Sequence, residues 1–273
     1  MAHITTQDGT KLYVKDWGTG RPVILIHGWP LSADSWDDQA VAIADAGFRA
    51  IAYDRRGFGR SEQPWSGYDY DTLSDDLLAV MEASGAEDAT LVGFSMGGGE
   101  VARYLSRHGG RGVAQAALIS SVVPYLLETP DNPNGVPEAT FAAMTAGMKE
   151  DRAHFFGQFF RQFYNVTLVS HTVSSEVLDA SRSTAMQASL KATLACANSF
   201  ATTDFRPDLA AFTMPTLIVH GTADQTVPID ATGREAAKAI PHAIFKEYAG
   251  APHGLFATHK DQLTDDLLAF LRS

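Results

Sequence analysis

Short apolar runs recur along the chain with almost no polar alternation: Val23-Ile24-Leu25-Ile26, Ala50-Ile51-Ala52-Tyr53, Thr90-Leu91-Val92, Ala116-Ala117-Leu118-Ile119, Thr216-Leu217-Ile218-Val219 and Ala243-Ile244-Phe245. Runs of this kind are the pattern of strands buried on both faces. Helical spacings separate several of them, at Asp37 to Ala46, Tyr70 to Ser84, Met96 to His108 and Ala231 to Ile240. Strand, helix, strand in succession predicts an α/β fold, a mostly parallel, doubly wound sheet with helices on both sides. Ahead of it, Ile4 to Thr6 and Leu12 to Lys15 flank an Asp8-Gly9 turn, which predicts a β-hairpin.

One interval breaks the rhythm. From Val122 to Thr213 no clear strand is visible; helical spacing appears instead at Glu138 to Lys149, Arg152 to Tyr164 and Ser174 to Ala197. The expected organisation is a core of residues 1–121 and 214–273 interrupted by a helical lid, 122–213. Ligands of open α/β sheets bind outside the carboxyl ends of the strands, where such a lid would sit. The 21 basic and 32 acidic residues leave a net charge of −11, which argues against a nucleic-acid partner because a polyanion needs a basic surface. The single cysteine, Cys196, forms no internal disulfide, and no Cys-x-x-Cys or His-Glu-x-x-His spacing is present to hold a metal. The longest apolar stretch, Ala116 to Leu127, is interrupted by Ser120, Ser121 and Pro124 and falls short of the ~18 residues of a membrane span. Met1 to Thr10 is polar, without the basic and apolar regions of a secretory signal, so a cytoplasmic location is expected.

Gly93-Phe94-Ser95-Met96-Gly97 follows one predicted strand and opens a helical run. That is the setting in which a Gly-x-Ser-x-Gly turn projects its serine from the sheet edge as a nucleophile. A serine hydroxyl needs a base, and the base needs an orienting carboxylate. In the order Ser, acid, His, the loop after Thr216 to Val219 offers Asp224, favoured over Asp230, which a helix N-cap role explains without catalysis. The loop after Ile244 to Tyr248 offers His253; His259, in the last helical region, is the weaker alternative. A tetrahedral oxyanion needs two preorganised donors. The Met96 amide at the helix start is one candidate. The other comes from His27-Gly28-Trp29-Pro30, where Pro30 has no N–H and Trp29 is the simplest choice.

Taken with Asp54-Arg55-Arg56-Gly57-Phe58-Gly59-Arg60-Ser61, these motifs resemble the α/β-hydrolase fold, over essentially the whole chain. Within it the sequence is similar to the cofactor-free bacterial haloperoxidases, a group that includes perhydrolases and aryl esterases. The resemblance implies a serine hydrolase that acts on small carboxylic esters through an acyl-enzyme and forms peracids when hydrogen peroxide replaces water. It implies no cofactor, oxyanion amides from Trp29 and Met96, a preference for perhydrolysis set by Pro30, and a structural role for Asp54 to Ser61. Homo-oligomers are frequent in the group. The same triad also suits amide or γ-lactam hydrolysis, and a slow ligand receptor on the hydrolase scaffold is the reading from another class. Haloalkane dehalogenases and epoxide hydrolases carry Asp where this chain has Ser95. Such a pocket is lined by lid aromatics, so Phe159 and Phe163, with Pro30, Val122 and Val227, are the expected substrate-binding residues. Cys196 reads as a packed thiol.

Overall fold

A computed structural model describes residues 3–273. Strands β1 (His3–Thr5) and β2 (Lys11–Gly18) form the expected hairpin. They are followed by β3 (Pro22–Ile26), β4 (Arg49–Tyr53), β5 (Ala89–Phe94), β6 (Val113–Ile119), β7 (Thr216–Gly221) and β8 (Ile244–Tyr248). The sheet order is β1-β2-β4-β3-β5-β6-β7-β8, antiparallel at β1/β2 and β2/β4 and parallel from β4 onward. Every residue of β3, β5 and β7 is buried, which is what their unalternating apolar sequences require. The exception is β8: as the last strand of the sheet it leaves Ile244 48% exposed.

The core helices are α1 (Asp37–Asp45), α2 (Tyr70–Ser84), α3 (Met96–Arg107), α7 (Gly233–Ala239), α8 (Leu255–Thr258) and α9 (Lys260–Leu271). The start of α2 is fixed by Asp69, whose side chain accepts from the Thr72 amide, and its end by Gly85 in the left-handed region at φ 61°. Between β6 and β7 the chain forms α4 (Glu138–Phe163), α5 (Ser175–Gln187) and α6 (Leu190–Thr202). One boundary here agrees with the sequence reading and one differs. The two helices expected at 138–149 and 152–164 meet within α4 at a kink, where Asp151 is non-helical (φ −148°, ψ 91°) and its side chain accepts from the His154 amide at 2.9 Å. The single helix expected over 174–197 is two, because Ala188 and Ser189 are extended and Ser189 caps α6 through the Ala192 amide.

Parallel pairing decides where loops emerge. Ile26 lies beside Tyr53 on one side and Gly93 on the other, so the residues that follow β3, β4 and β5 leave the sheet at one edge. The loops after β7 and β8 leave by the same edge, since Gly221 pairs with Tyr248 and β6, β7 and β8 are parallel.

Candidate active site

Ser95 occupies the turn between β5 and α3 with φ 54° and ψ −118°, a strained conformation for a residue with a side chain. The turn closes only because position 93 is glycine: a Cβ there would lie 2.5 Å from the Gly97 carbonyl oxygen and 2.7 Å from the Gly98 Cα. The Ser95 hydroxyl is 2.9 Å from His253 Nε2, and His253 Nδ1 is 2.6 Å from Asp224 Oδ2. Three residues from three loops thus form one hydrogen-bonded line at the carboxyl edge of the sheet. The imidazole is held edge-on by Phe163, with ring centroids 4.9 Å apart, and rests against Phe94 at 5.0 Å.

Asp224 is buried, which by itself disfavours its charge, but the attraction of His253 and the hydrogen bond from His220 outweigh burial and hold the carboxyl well below the ordinary carboxylate range. Its Oδ1 accepts from the Thr226 and Val227 amides at 2.9 and 2.8 Å. Its Oδ2 receives His253 and, at 3.3 Å, His220 Nε2. His220 Nε2 also lies 2.9 Å from the Val227 carbonyl. Both neighbours only accept, so Nε2 carries the proton. His220 is not among the residues that the sequence motifs single out; the i, i+4 spacing of His220 and Asp224 is the signal that finds it. The rival residues are elsewhere: Asp230 pairs with Arg234 at 2.6 Å, and His259 bonds Thr258 at 2.9 Å.

Trp29 lies just after β3, and Met96, next to Ser95 in the chain, opens α3. Among the described residues neither backbone N–H donates a hydrogen bond within the protein. For Met96 this follows from its place in the first helical turn, where amides have no internal acceptor. The β3 loop comes close to the serine because residue 28 is glycine; a Cβ there would lie 2.6 Å from the Phe94 ring and 3.0 Å from Ser95 Cβ. The Trp29 indole donates to the Thr193 carbonyl of α6 at 3.0 Å and packs on Phe156, Phe159 and Phe200.

A cavity of about 220 Å³ opens over Ser95 and His253. Val122, Phe159 and Val227 line it as the sequence suggests, and so does Trp29. Pro30 and Phe163 do not. Pro30 is buried, and Phe163 is spent against the His253 ring. The remaining walls come from Phe155, one helical turn before Phe159, and from residues no local pattern singles out, including Leu126, Phe141, Met144 and Phe200, with Gln158, Gln162 and Gln225 as polar members. Gln162 donates to the Gln225 carbonyl at 3.2 Å, tying α4 to the loop that carries Asp224. Cys196 is fully buried and its thiol is pushed up to about 12 by burial. Among the described residues no group of three His, Cys, Asp or Glu side chains is placed to hold a metal ion, and no helix is long and apolar enough to cross a membrane.

The family model for the alpha/beta hydrolase fold matches residues 21–260. A non-heme chloroperoxidase of Kitasatospora aureofaciens is 44% identical, over 99% of both chains. A bifunctional esterase/perhydrolase of Acinetobacter calcoaceticus is 40% identical over the full length of both. Among solved structures, a bromoperoxidase of Bacillus anthracis superposes with a TM-score of 0.96 at 43% identity, covering 100% of this chain and 99% of that one.

Proposed function

The chain belongs to the alpha/beta hydrolase family, and from that premise we propose that it is a serine esterase that also acts as a cofactor-free perhydrolase. The observation that carries the reading is the line Ser95–His253–Asp224, with contacts of 2.9 and 2.6 Å, opening into a mainly apolar cavity. In this reading the Ser95 oxygen attacks the ester carbonyl while His253 Nε2 takes its proton, and Asp224 stabilises the imidazolium. The Trp29 and Met96 amides receive the oxyanion. Collapse expels the alcohol, protonated by His253, and leaves an acyl-Ser95 ester. Water then attacks with His253 as base, returning the carboxylic acid; hydrogen peroxide in its place returns a peracid. The helices between β6 and β7 act as a lid whose aromatic side chains shape the acyl site. The relatives named for haloperoxidation support the peroxide branch, because a peracid released into solution oxidises bromide with no further help from the protein.

Replacing Ser95 by Ala tests the scheme. Turnover of p-nitrophenyl acetate and bromination in acetate with peroxide are expected to vanish together, and a fluorophosphonate is expected to label the parent but not the variant. Bromination that survives in Ser95→Ala would overturn the common acyl-enzyme.

A further inference from the structure

Asp54 to Ser61 is the one sequence motif to which the catalytic scheme gives no work, yet one of its residues reaches under the active site. Arg55 is 1% exposed and Glu100, in the second turn of α3, is fully buried. Arg55 Nε donates to Glu100 Oε1 at 2.5 Å, and the Tyr53 hydroxyl donates to Glu100 Oε2 at 2.7 Å. Arg55 Nη2, which also contacts Glu100 Oε1, donates to the His27 carbonyl at 2.5 Å. The Arg55 backbone N–H donates to His27 Nε2 at 3.0 Å. His27 is fully buried, and its Nδ1 lies 2.9 Å from the Gly28 carbonyl oxygen.

Two of these roles are chemically fixed. A backbone N–H can only donate, so His27 Nε2 is bare; a carbonyl can only accept, so Nδ1 carries the proton and gives it to Gly28. Arg55 Nη1, 3.3 Å from Nδ1, is then a contact without a shared proton. The Gly28 carbonyl and the Trp29 N–H belong to one planar peptide. Holding that carbonyl therefore aims that N–H. Leu31 N–H grips the same oxygen at 3.0 Å, so the plane is held at its carbonyl end and its N–H is left unbonded.

We propose that His27 is a positioning residue that aims the Trp29 amide at the developing oxyanion, and that the Arg55–Glu100 pair locks this aim to α3, the helix that carries the Met96 amide. The inference rests on the oxyanion role assigned to Trp29 above. It accounts for a fully buried ion pair, which is a costly way to gain stability alone, at the point where β3, β4 and α3 must keep register for two amides to converge.

The test uses the full chain with two variants, His27→Leu and His27→Asn, whose amide nitrogen can still donate to Gly28. Folding is followed by thermal melt and by fluorophosphonate labelling, and kcat and KM by p-nitrophenyl acetate turnover. Loss of one oxyanion donor costs about 10²–10³ in kcat, so a misaimed donor in His27→Leu is expected to lower kcat roughly 10- to 100-fold with KM within about threefold. His27→Asn is expected to recover most of that loss. A folded His27→Leu with the parent kcat, or equal losses in both variants, overturns the proposal. Should His27→Leu not fold, Arg55→Lys decides: it keeps the charge opposite Glu100 but cannot also hold the His27 carbonyl, and is expected to lower kcat at unchanged KM. Parent kcat there, or a failure of both to fold, would mark the network as purely architectural. An active Ser95→Ala would instead sink the underlying catalytic scheme, so the two failures are distinguishable.

Discussion

Replacing Asp224 by Asn removes one charge and almost no volume, so its effect isolates the work of the second carboxylate oxygen. The carboxylate receives four N–H donors, two backbone amides on Oδ1 and two imidazoles on Oδ2. An asparagine offers one oxygen and one NH2. With its oxygen toward Thr226 and Val227, the NH2 faces the imidazoles; His253 must then present a bare Nδ1 and carry its proton on Nε2, where it can no longer accept from Ser95. With the amide turned over, the NH2 meets two buried amides that lose their acceptor, each unsatisfied donor costing about 1–3 kcal/mol. The first orientation is therefore favoured, and it holds the wrong tautomer. In a triad the wrong tautomer costs about 10⁴ in kcat, or about 5 kcal/mol of barrier. Initial-rate turnover of p-nitrophenyl acetate at pH 7, with a thermal melt to establish folding, measures it. A folded Asp224→Asn that keeps kcat within about tenfold of the parent would refute the assignment of Asp224 as the residue that sets the His253 proton.

Packing and charge lead to three further outcomes. Gly93→Ala places a methyl group against the backbone of residues 97 and 98, which cannot give way as a flexible side chain would; the cost belongs at the upper end of overpacking, about 3 kcal/mol, and a melt should show a fall of roughly 6–12 °C, whereas an unchanged midpoint would contradict the tight turn. Asp16 is held below the ordinary carboxylate range by its hydrogen bond from Arg49, against the opposing effect of burial. Its stabilisation is accordingly present above the unfolded carboxylate pKa and lost as pH falls through the folded one. Asp16→Asn should melt below the parent at pH 7, with the gap closing under acid; a gap that widens there would reverse the sign. Cys196, buried and with its thiol pushed up to about 12, should resist iodoacetamide in the native protein and react after denaturation, and native labelling at the unfolded rate would show that the α6 packing opens freely.

The elements that sequence reading finds are those whose signal is local. The core strands declare themselves because burial on both faces removes polar alternation, and α2 because Asp69 and Gly85 bracket it. Between β6 and β7 the local signal holds once and fails once. The break between the helices on either side of Asp151 is visible in the sequence, while the polar cap at Ser189 ends one helix and begins another inside what reads as one apolar spacing. The pocket shows the same limit. A Phe stripe at i, i+4 places Phe155, Phe159 and Phe163 on one face of α4, but only the fold reveals that the stripe is divided, Phe155 and Phe159 facing the cavity and Phe163 pressed on His253.

Why the three triad residues are legible and their support is not comes down to parallel sheet geometry. Each triad residue stands in the first residues after a parallel strand, and all such strand ends share one edge, so three local motifs come to the same rim of the sheet. The His27–Arg55–Glu100 connection needs the order itself. β4 is inserted between β2 and β3 in the sheet, and only the pairing of Ile26 with Tyr53 sets the residues after β3 and β4 side by side. Glu100 joins them because α3 starts at the end of β5, the neighbour of β3 on its other flank, where Gly93 pairs with the same Ile26. A motif such as Asp54 to Ser61, silent when scanned for reactive side chains, thus gains its meaning from a lateral neighbour 28 residues earlier in the chain. Residues that act through a neighbouring strand are where a chain read one segment at a time gives the least warning.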